Sequence, residues 1–469
     1  MDLHIDIDRA ASTTLPHQIG RAIIEMICDG TLARGARLPA SRALAERLGV
    51  ARLTVVEAYQ WLADQDYVAS RRGSRTVVQD VRPLLAGRAP KPAEPEPPAV
   101  IPARADAVTI DFRAGRPDLR AFPRKAWIAA LNTAVRTVPP EALDYGSPLG
   151  HGPLRRALAA YLHRSRGLSV DPGRIAITTG SAQTVDLVLR ALSDHHEIIV
   201  EQPGHLIVQQ LVAIHQIAVS PIPVDSDGIR TALLKGDARP RIVLVTPSHQ
   251  FPTGCRMSLA RRRELISWAD RTGATIVEDD YDSEFAYDGR PPIPLAKLDE
   301  TGRVVYMGTF SKTLAPSLRL GFMVMPKRLV GPITALKIWA DYGGAIYPQA
   351  ALAGWIESGV FERHVQRMRA VYQARYDLLV RELTRRFGGA VRIPTTRVGM
   401  HLMIYVKCRQ PAADLVSRAR RDGVVVYPID AEGGAVRGGE IALVLGFGNL
   451  SDREIVQGVE SLARAVLET

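Results

Sequence analysis

Residues 309–322, TFSKTLAPSLRLGF, place a lysine among hydroxyl groups, an arginine and a glycine, directly after a short apolar run. A lysine that is shielded from water and close to other positive charge can lose its proton and act as a nucleophile. Lys312 is therefore expected to form an imine with an aldehyde-bearing cofactor. Thr309, Ser311 and Arg319 are expected to surround a phosphate group of the same molecule.

An acidic segment, EDDYDSEF at residues 278–285, follows another apolar run. Acids at the end of a buried strand are costly without a cationic partner. We expect Asp279 to face a pyridine nitrogen and keep it protonated, which preserves the ring as an electron sink. Tyr281 is expected to hydrogen-bond the phenolic oxygen of that ring. An exposed acidic loop is the alternative interpretation.

A third segment, ITTGSAQTVDLVLR at residues 177–190, runs from a strand through glycine and serine into a helix. Free backbone N–H groups at a helix start can bind phosphate, so Gly180 and Ser181 join the predicted phosphate group. Many helices begin with such a sequence, so this segment indicates a phosphate site only in combination with the lysine and acidic segments.

The elements that hold these segments alternate between short β-branched runs and long helical stretches. This pattern predicts an α/β domain with a mostly parallel sheet covered on both faces, and the polar strand ends indicate a ligand crevice. Two long helical stretches, around Glu362–Phe387 and Ser451–Leu467, bracket a mixed strand region and predict a smaller C-terminal α+β subdomain.

The first 80 residues have a different organisation. A helix ending near Gly30 precedes a helix capped by Ser41 and closed by Gly49, and a third helix from about Leu53 to Asp64 is expected to bury Val55, Val56, Tyr59 and Leu62. Two short strands around a Gly-Ser turn follow. These are the parts of a winged helix-turn-helix. Residues 34–75 hold eight arginines and four acids, and five are suited to contact DNA: Arg42, Arg52, Arg71, Arg72 and Arg75.

Prolines among alternating charges mark residues 81–107 as a semi-rigid linker, with an ordered surface loop as the alternative. The predicted domains are therefore 1–80, which reads DNA, and 108–469, which binds the cofactor. Three widely separated cysteines without CxxC spacing argue against disulfides and a zinc site, and no segment resembles a membrane span or an export signal. We expect a cytoplasmic protein. The net charge of +11 weakly supports a polyanionic partner.

Residues 15–78 resemble the winged-helix domain of the GntR family of bacterial transcription regulators. From Ile110 onward the chain resembles fold-type I aminotransferases, and DFRAGRPDLRAFPRKAW, DYGSPLGHGPLRRALAAYL and TPSHQFPTGCRMSLARRR resemble the MocR-type subfamily, in which both domains are fused. The resemblance implies pyridoxal 5′-phosphate and a head-to-tail homodimer with Tyr145 near the interface. It assigns the imine to Lys312 and the ring contacts to Asp279 and Tyr281. The implied phosphate and DNA contacts are Ser181, Ser311, Arg319, Arg42, Arg52, Thr54 and the wing around Gly73.

Four positions depart from that pattern. His205 stands where working aminotransferases commonly stack an aromatic ring on the cofactor, with a structural or surface role as the alternative. Phe251 replaces an asparagine that supplies a ring hydrogen bond. His249 and Gln250 are candidate substitutes for it, although a surface position is the favoured interpretation for each. Val444 stands where amino-acid-binding relatives place an arginine for the substrate carboxylate. Leu53 replaces a polar residue of the DNA-reading helix.

The sequence thus predicts a DNA-binding transcription regulator that senses an amine-bearing metabolite, or the B6 cofactor itself, through an aminotransferase-like domain. Exchange of the Lys312 imine for one with the effector would release the lysine and bias the domain arrangement. A genuine aminotransferase with an accessory DNA-binding domain is the alternative, disfavoured by the changes at His205, Phe251 and Val444. Simple sequestration of the cofactor is a third possibility.

Overall fold

The computed structural model describes two parts of the chain, separated by residues 80–109. The described residues are 3, 5–9, 11, 13–69, 76–79, 110–194, 197–204, 206–236, 241–289, 291–429 and 439–467. The chain divides into two compact units, Met1–Arg104 and Ala105–Thr469. The predicted linker 81–107 lies outside the described residues, so its boundaries stay a prediction.

The small unit is a three-helix domain with a two-stranded ribbon, as predicted. Its elements are α1 (Leu15–Cys28), α2 (Ser41–Leu48), α3 (Arg52–Asp64), β1 (Val68–Ala69) and β2 (Val77–Val78). The two strands are antiparallel, with Val68 opposite Val78. Apolar residues at helical spacing on α1 and α3 pack together, and Ile19, Ile23 and Leu62 are fully buried.

Two local predictions for the small unit were wrong. Ser41 is the first residue of α2 and not its cap; Ala40 holds that position, and the helix has no side-chain cap. Val56 is 40% exposed, because α3 turns the face of Val55, Ala58 and Tyr59 inward, and each step along a helix rotates the side chain by about 100°. Gly49 ends α2 in the left-handed conformation, as predicted.

The large unit alternates strands and helices. Its helices are α4 (Arg124–Thr137), α5 (Gly152–Arg166), α6 (Ser181–Ala191), α7 (Leu206–Ile214), α8 (Leu259–Thr272), α9 (Leu295–Leu298), α10 (Lys327–Asp341), α11 (Ile346–Glu357), α12 (Val360–Phe387), α13 (Ala412–Arg421) and α14 (Asp452–Leu467). Its strands are β3 (Ile110–Asp111), β4 (Ile175–Thr178), β5 (Glu197–Gln202), β6 (Ala218–Asp225), β7 (Gly228–Ile229), β8 (Ile242–Val245), β9 (Thr275–Asp280), β10 (Val304–Thr309), β11 (Gly321–Val324), β12 (Val391–Arg392), β13 (His401–Lys407), β14 (Val424–Val425), β15 (Tyr427–Ile429) and β16 (Glu440–Gly446).

The main sheet has eight strands in the order β4, β11, β10, β9, β8, β5, β6, β7. Strands β10, β9, β8, β5 and β6 are mutually parallel, whereas β11 is antiparallel to both of its neighbours. Helices cover both faces: α6 and α10 pack over Val277 and Met307 on one, and α8 packs over Ile276 on the other. The carboxyl ends of the parallel strands therefore share one edge, as the sequence predicted.

The C-terminal subdomain is built on an antiparallel sheet in the order β12, β13, β16, β15, bracketed by α12 and α14. Strand β14 pairs in parallel with β3. The predicted α+β subdomain is thus confirmed. Within the part of the chain that the structure describes, no helix is both long and apolar enough to cross a membrane.

Candidate functional site

The predicted imine lysine lies in the connection between two central strands. Strand β10 ends at Thr309, which pairs with Gly321 at the start of antiparallel β11, and the intervening loop carries Lys312. The Lys312 Nζ donates a hydrogen bond to the carbonyl oxygen of Gly115 at 2.8 Å. Burial lowers the pKa of the Lys312 amino group, although two nearby aspartates oppose that change. The lysine is thus shielded from water in the way that a nucleophilic amine requires.

The predicted pyridine-facing acid is the penultimate residue of β9. Asp279 pairs with Met307 of β10 and, two residues beyond Val277, points to the sheet face that α6 covers. Burial raises the pKa of Asp279 to about 7; Asp280 adds to the rise and Lys312 opposes it. The Asp279 Oδ1 is buried and has no hydrogen-bond partner among the described residues. A protonated ring nitrogen would supply the donor that this oxygen lacks.

The other acids of this segment have partners inside the protein. The Arg166 guanidinium lies 3.0 Å from Asp280 and 2.8 Å from Glu284, and the Tyr306 hydroxyl donates to Asp280 at 2.6 Å. Glu278 accepts backbone N–H bonds at the start of α9 at 2.8 and 2.9 Å. The exposed acidic loop is therefore excluded. Sequence reasoning required a cation here but did not identify Arg166, which is 114 positions away from Asp280.

Tyr281 is held by the loop that follows β8. Its hydroxyl donates to the backbone carbonyl of His249 at 2.9 Å and lies 3.2 Å from the Nδ1 of the same residue. The His249 Nδ1 in turn lies 2.9 Å from Asp282, and its ring stacks on His401 with centroids 4.4 Å apart. Burial, with the nearby carboxylates, raises the pKa of Tyr281 well above its usual value, so the hydroxyl keeps its proton and can donate it in a hydrogen bond.

His249, Asp282 and His401 are buried and bring donor atoms within 4.8 Å of one another, which is a pattern that some metal sites share. Both oxygens of Asp282, however, face the same His249 nitrogen, at 2.9 and 3.1 Å. A carboxylate that orients an imidazole accounts for this geometry without an ion.

His249 and Gln250 are both buried, so the surface position expected for each was wrong, but Gln250 does not replace the missing asparagine. Its amide nitrogen donates to Glu201, to the Pro203 carbonyl and to the Phe251 carbonyl, at 3.2, 2.9 and 2.7 Å. Its oxygen accepts from the backbone and hydroxyl of Thr253. The Gln250 amide thus uses its nitrogen and its oxygen in hydrogen bonds within the protein, so His249 is the remaining candidate substitute.

The predicted phosphate group gathers at the start of α6. Gly180 is the N-cap, with a φ of +126° and no side-chain cap, so the first N–H groups of α6, beginning at Ser181, have no partner within the helix. A Cβ on Gly180 would lie 3.3 Å from the Arg319 guanidinium. Arg319 has a φ of +50°, and its backbone N–H donates to the Pro316 carbonyl at 3.2 Å, but its guanidinium makes no hydrogen bond or ion pair within the described residues. Thr309 accepts a bond from the Ser311 N–H at 3.1 Å, on the adjoining loop.

Arg319 therefore combines a free guanidinium with a backbone conformation that a non-glycine residue adopts only at a cost. With an uncapped helix amino terminus beside it, the arrangement is an anion site of the kind that phosphate prefers. Together with Lys312 and the unsatisfied carboxylate of Asp279, it fits a pyridine aldehyde that carries a phosphate.

Three further predicted positions have different outcomes. His205 lies outside the described residues. Tyr145 is 81% exposed, and its ring packs against that of Tyr342 with centroids 4.9 Å apart. Val444 is buried in β16 and clusters with Met403 and with Ala114, which is next to the Gly115 that accepts from Lys312. An apolar residue thus occupies this position of the small sheet, packed beside the segment that Lys312 contacts.

The predicted DNA contacts that are described lie around the amino end of α3. Arg42 and Arg52 are exposed, Thr54 is half-buried, and the Arg52 Nε lies 3.5 Å from the Ser41 hydroxyl. The wing residues Gly73 and Arg75, with Arg71 and Arg72, lie outside the described residues. The helix pair that would enter a major groove is present, and its contacts stay a prediction.

A separate cleft of about 710 Å³ opens at the opposite edge of the main sheet, where β10 begins and β11 ends. It contains none of the predicted cofactor residues and is lined by several cations, Arg174, Lys297, Lys327 and Arg328.

Comparison with known proteins agrees with both units. Residues 108–437 match the family "Aminotransferase class I and II", and residues 15–78 match "Bacterial regulatory proteins, gntR family". A probable rhizopine catabolism regulatory protein, MocR, of Rhizobium meliloti is 33% identical over 98% of this chain and 95% of its own. The pyridoxine biosynthesis transcriptional regulator PdxR of Corynebacterium glutamicum is 31% identical over 96% of this chain and 95% of its own.

Among solved structures, the kynurenine aminotransferase of Pyrococcus horikoshii matches with a TM-score of 0.69 and 28% identity, over 77% of this chain and 91% of that one. The match to the aminotransferase family covers more than half of the chain, and the relatives extend over both units. The chain therefore belongs to the MocR-type group of GntR transcription regulators, in which a DNA-binding winged helix-turn-helix is joined to an aminotransferase-like domain whose cofactor is pyridoxal 5′-phosphate.

Proposed function

We propose that this protein controls transcription in the cytoplasm in response to an amine-bearing metabolite or to pyridoxal 5′-phosphate itself. The observation that carries the proposal is the meeting of a shielded Lys312 with an unsatisfied Asp279 carboxylate, in a chain that also holds a DNA-binding domain. The name of one relative, a pyridoxine biosynthesis regulator, supports the cofactor as effector, and the name of another, a rhizopine catabolism regulator, supports a metabolite.

The roles of individual residues belong to the proposal. Bound cofactor supplies an aldehyde carbon at which one amine can replace another. We assign Lys312 to that carbon, Asp279 to the ring nitrogen and Tyr281 to the phenolic oxygen. We assign the phosphate contacts to Gly180, Ser181, Thr309, Ser311 and Arg319, and the contact with the ring face to His205. We assign the DNA contacts to Arg42, Arg52, Thr54, Gly73 and Arg75. These lie in a DNA-binding domain of residues 1–80, which the linker 81–107 joins to the cofactor domain of residues 108–469.

A route for the response begins at Lys312. Its free Nζ donates to the Gly115 carbonyl, and the segment before Gly115 is tied to the C-terminal subdomain, because the Gly446 N–H donates to the Phe112 carbonyl at 2.7 Å. A Cβ on Gly446 would lie 2.2 Å from the Arg113 carbonyl, so this contact is close. A free Lys312 amino group thus contacts the segment that is tied to the C-terminal sheet, whereas an imine would commit the same nitrogen to the cofactor carbon. Two states with different contacts are what an effector needs in order to shift an equilibrium.

DNA footprinting of the full-length protein across its own genomic neighbourhood, with and without pyridoxal 5′-phosphate and a panel of primary amines, tests the proposal. We expect a protected site whose affinity changes with one of these ligands, and loss of that response in Lys312→Ala. Lys297→Ala, an exposed lysine in the separate cleft, is the matched control and should respond normally.

Three results would contradict the regulator proposal. Absence of any protected site would exclude specific DNA binding. Protection that no ligand alters would favour sequestration of the cofactor. Steady conversion of an amino donor and a keto acid, with unchanged DNA affinity, would favour the aminotransferase alternative.

We also propose that the protein is a head-to-tail homodimer. Three exposed aromatic side chains lie together on the large unit: Tyr145 contacts Tyr342, and Tyr342 contacts Trp339, which is 78% exposed. An exposed aromatic cluster of this kind marks a protein interface more often than a solvated surface. Analytical ultracentrifugation should give a dimer that Tyr145→Ala with Trp339→Ala dissociates, whereas a wild-type monomer at micromolar concentration would overturn this proposal.

A further inference from the structure

The outward face of α3 is apolar at its amino end. Leu53, the second residue of the helix, is 64% exposed, and Val56, three residues later on the same face, is 40% exposed. Neither belongs to the core of the small unit, which takes Val55, Ala58 and Leu62 from the opposite face of α3. Large apolar side chains held in water lose the free energy that burial would provide, so these two are placed to meet another surface.

The charges around this apolar pair favour a polyanion. Arg52 precedes Leu53 on α3, and Arg42 projects from α2; both guanidinium groups are exposed. The amino end of a 13-residue helix adds a partial positive charge. Glu57, one turn further along, is the acid on this face and lies away from the arginines at the helix start. A protein surface complementary to this patch would need acids around a small apolar centre, whereas a DNA major groove offers phosphates around base edges.

We propose that Leu53, with Val56 beside it, reads the C5-methyl group of thymine in the major groove, so that each operator half-site carries thymine at this contact. Thymine is the base that presents a methyl group there, and the residues at the start of a recognition helix are those that reach base edges. The two side chains are about 4.5 Å apart along the helix axis, somewhat more than one base-pair step of about 3.4 Å. Leu53 is thus a specificity-determining residue.

This inference rests on the DNA-binding function proposed above, and the experiment separates the two. Full-length protein loaded with pyridoxal 5′-phosphate is used to select duplexes from a randomised library, in parallel with Leu53→Ala, Leu53→Asn and Gln60→Ala. Gln60 is exposed on α3 two turns further along and serves as the matched control. The thymine in the selected wild-type duplex is then replaced by uracil, which differs only in lacking the methyl group.

Wild type and Gln60→Ala are expected to select thymine at one position of each half-site, at which both Leu53 variants lose the preference. Uracil at that position should weaken wild-type binding about fourfold, the equivalent of one methyl group removed from an apolar contact. Leu53→Ala should bind the two duplexes equally. Unchanged wild-type affinity for uracil, or an equal loss in Leu53→Ala, would overturn the inference while leaving DNA binding intact. Failure to enrich any duplex would overturn DNA binding itself.

Discussion

Replacing Asp279 with asparagine is expected to stabilise the cofactor-free protein and, at the same time, to weaken its hold on the cofactor. The Asp279 carboxyl has a pKa of about 7 in the fold and an ordinary value of 3.8 when unfolded. Since one pKa unit corresponds to 1.36 kcal/mol, ionisation of this group costs the folded state up to roughly 4 kcal/mol. Asp279 is partly accessible to solvent, which screens its charge, so we expect about half of that free-energy cost.

The pH dependence follows from the direction of the change. Below pH 3.8 the carboxyl is protonated in both the folded and the unfolded state, so Asp279 does not lower the free energy of unfolding. As the pH rises towards 7, Asp279 ionises first in the unfolded state, and stability is progressively lost. Above pH 7 the loss is complete. Asparagine does not ionise, so the gain in unfolding free energy of Asp279→Asn should be small near pH 4 and reach about 2 kcal/mol at pH 8. For the large unit this corresponds to roughly 3 °C in the midpoint of thermal unfolding.

Differential scanning calorimetry of cofactor-free protein at pH 4.5 and pH 8 measures this. Asp280→Asn is the matched control: that neighbour is paired with Arg166 and Tyr306, and its pKa is lowered, so the variant should unfold earlier at both pH values. Added pyridoxal 5′-phosphate should raise the midpoint of wild type much more than that of Asp279→Asn, because loss of a charge-assisted hydrogen bond weakens binding roughly 10- to 100-fold. This prediction would be refuted if Asp279→Asn were no more stable than wild type at pH 8, or if the variant exceeded wild type in stability by the same amount at both pH values.

Three further predictions concern arginines. Arg319→Ala should weaken pyridoxal 5′-phosphate binding roughly tenfold or more in a fluorescence titration, because a free guanidinium contributes a charge-assisted contact to the phosphate. Arg328→Ala is the control and should bind like wild type. Equal affinities of Arg319→Ala and wild type would contradict the proposed phosphate site. Arg166→Met should lower the free energy of unfolding by about 3–5 kcal/mol in a denaturant titration, since it leaves two buried carboxylates without their cation. Arg164 is exposed, and Arg164→Met should lower that free energy by less than about 1 kcal/mol. Arg42→Ala should lower the slope of log affinity against log salt by about one for any DNA, and an unchanged slope would remove it from the phosphate contacts.

Much of the architecture could be predicted from the sequence because its signals are local. β-branched runs alternating with helical stretches predicted the parallel strands β5, β8, β9 and β10, and the helix-helix-hairpin order predicted the small unit. The strand ends then placed Lys312 and Asp279 at one edge of the sheet, since parallel strands share their carboxyl ends. These inferences need only spacing along the chain.

Other features depend on contacts that no local pattern contains. The antiparallel insertion of β11 between β4 and β10 is a matter of strand order, which a run of four apolar residues does not encode. Val56 was expected inside and lies outside, because its position depends on which face of α3 the other helices cover. Gln250 was a candidate ring contact until the fold brought Glu201 and the Pro203 carbonyl within hydrogen-bonding distance of it.

The sequence by itself determined the classes of residue and element: a lysine, an acid and a glycine-serine helix start at strand ends, and arginines around a pair of short helices. Only the tertiary structure decided their electrostatics. Arg166 neutralises Asp280 and leaves Asp279 unsatisfied, although the two acids are adjacent in the chain. The physical reason is the alternation of a β-strand, which sends neighbouring side chains to opposite faces of the sheet, where different elements pack.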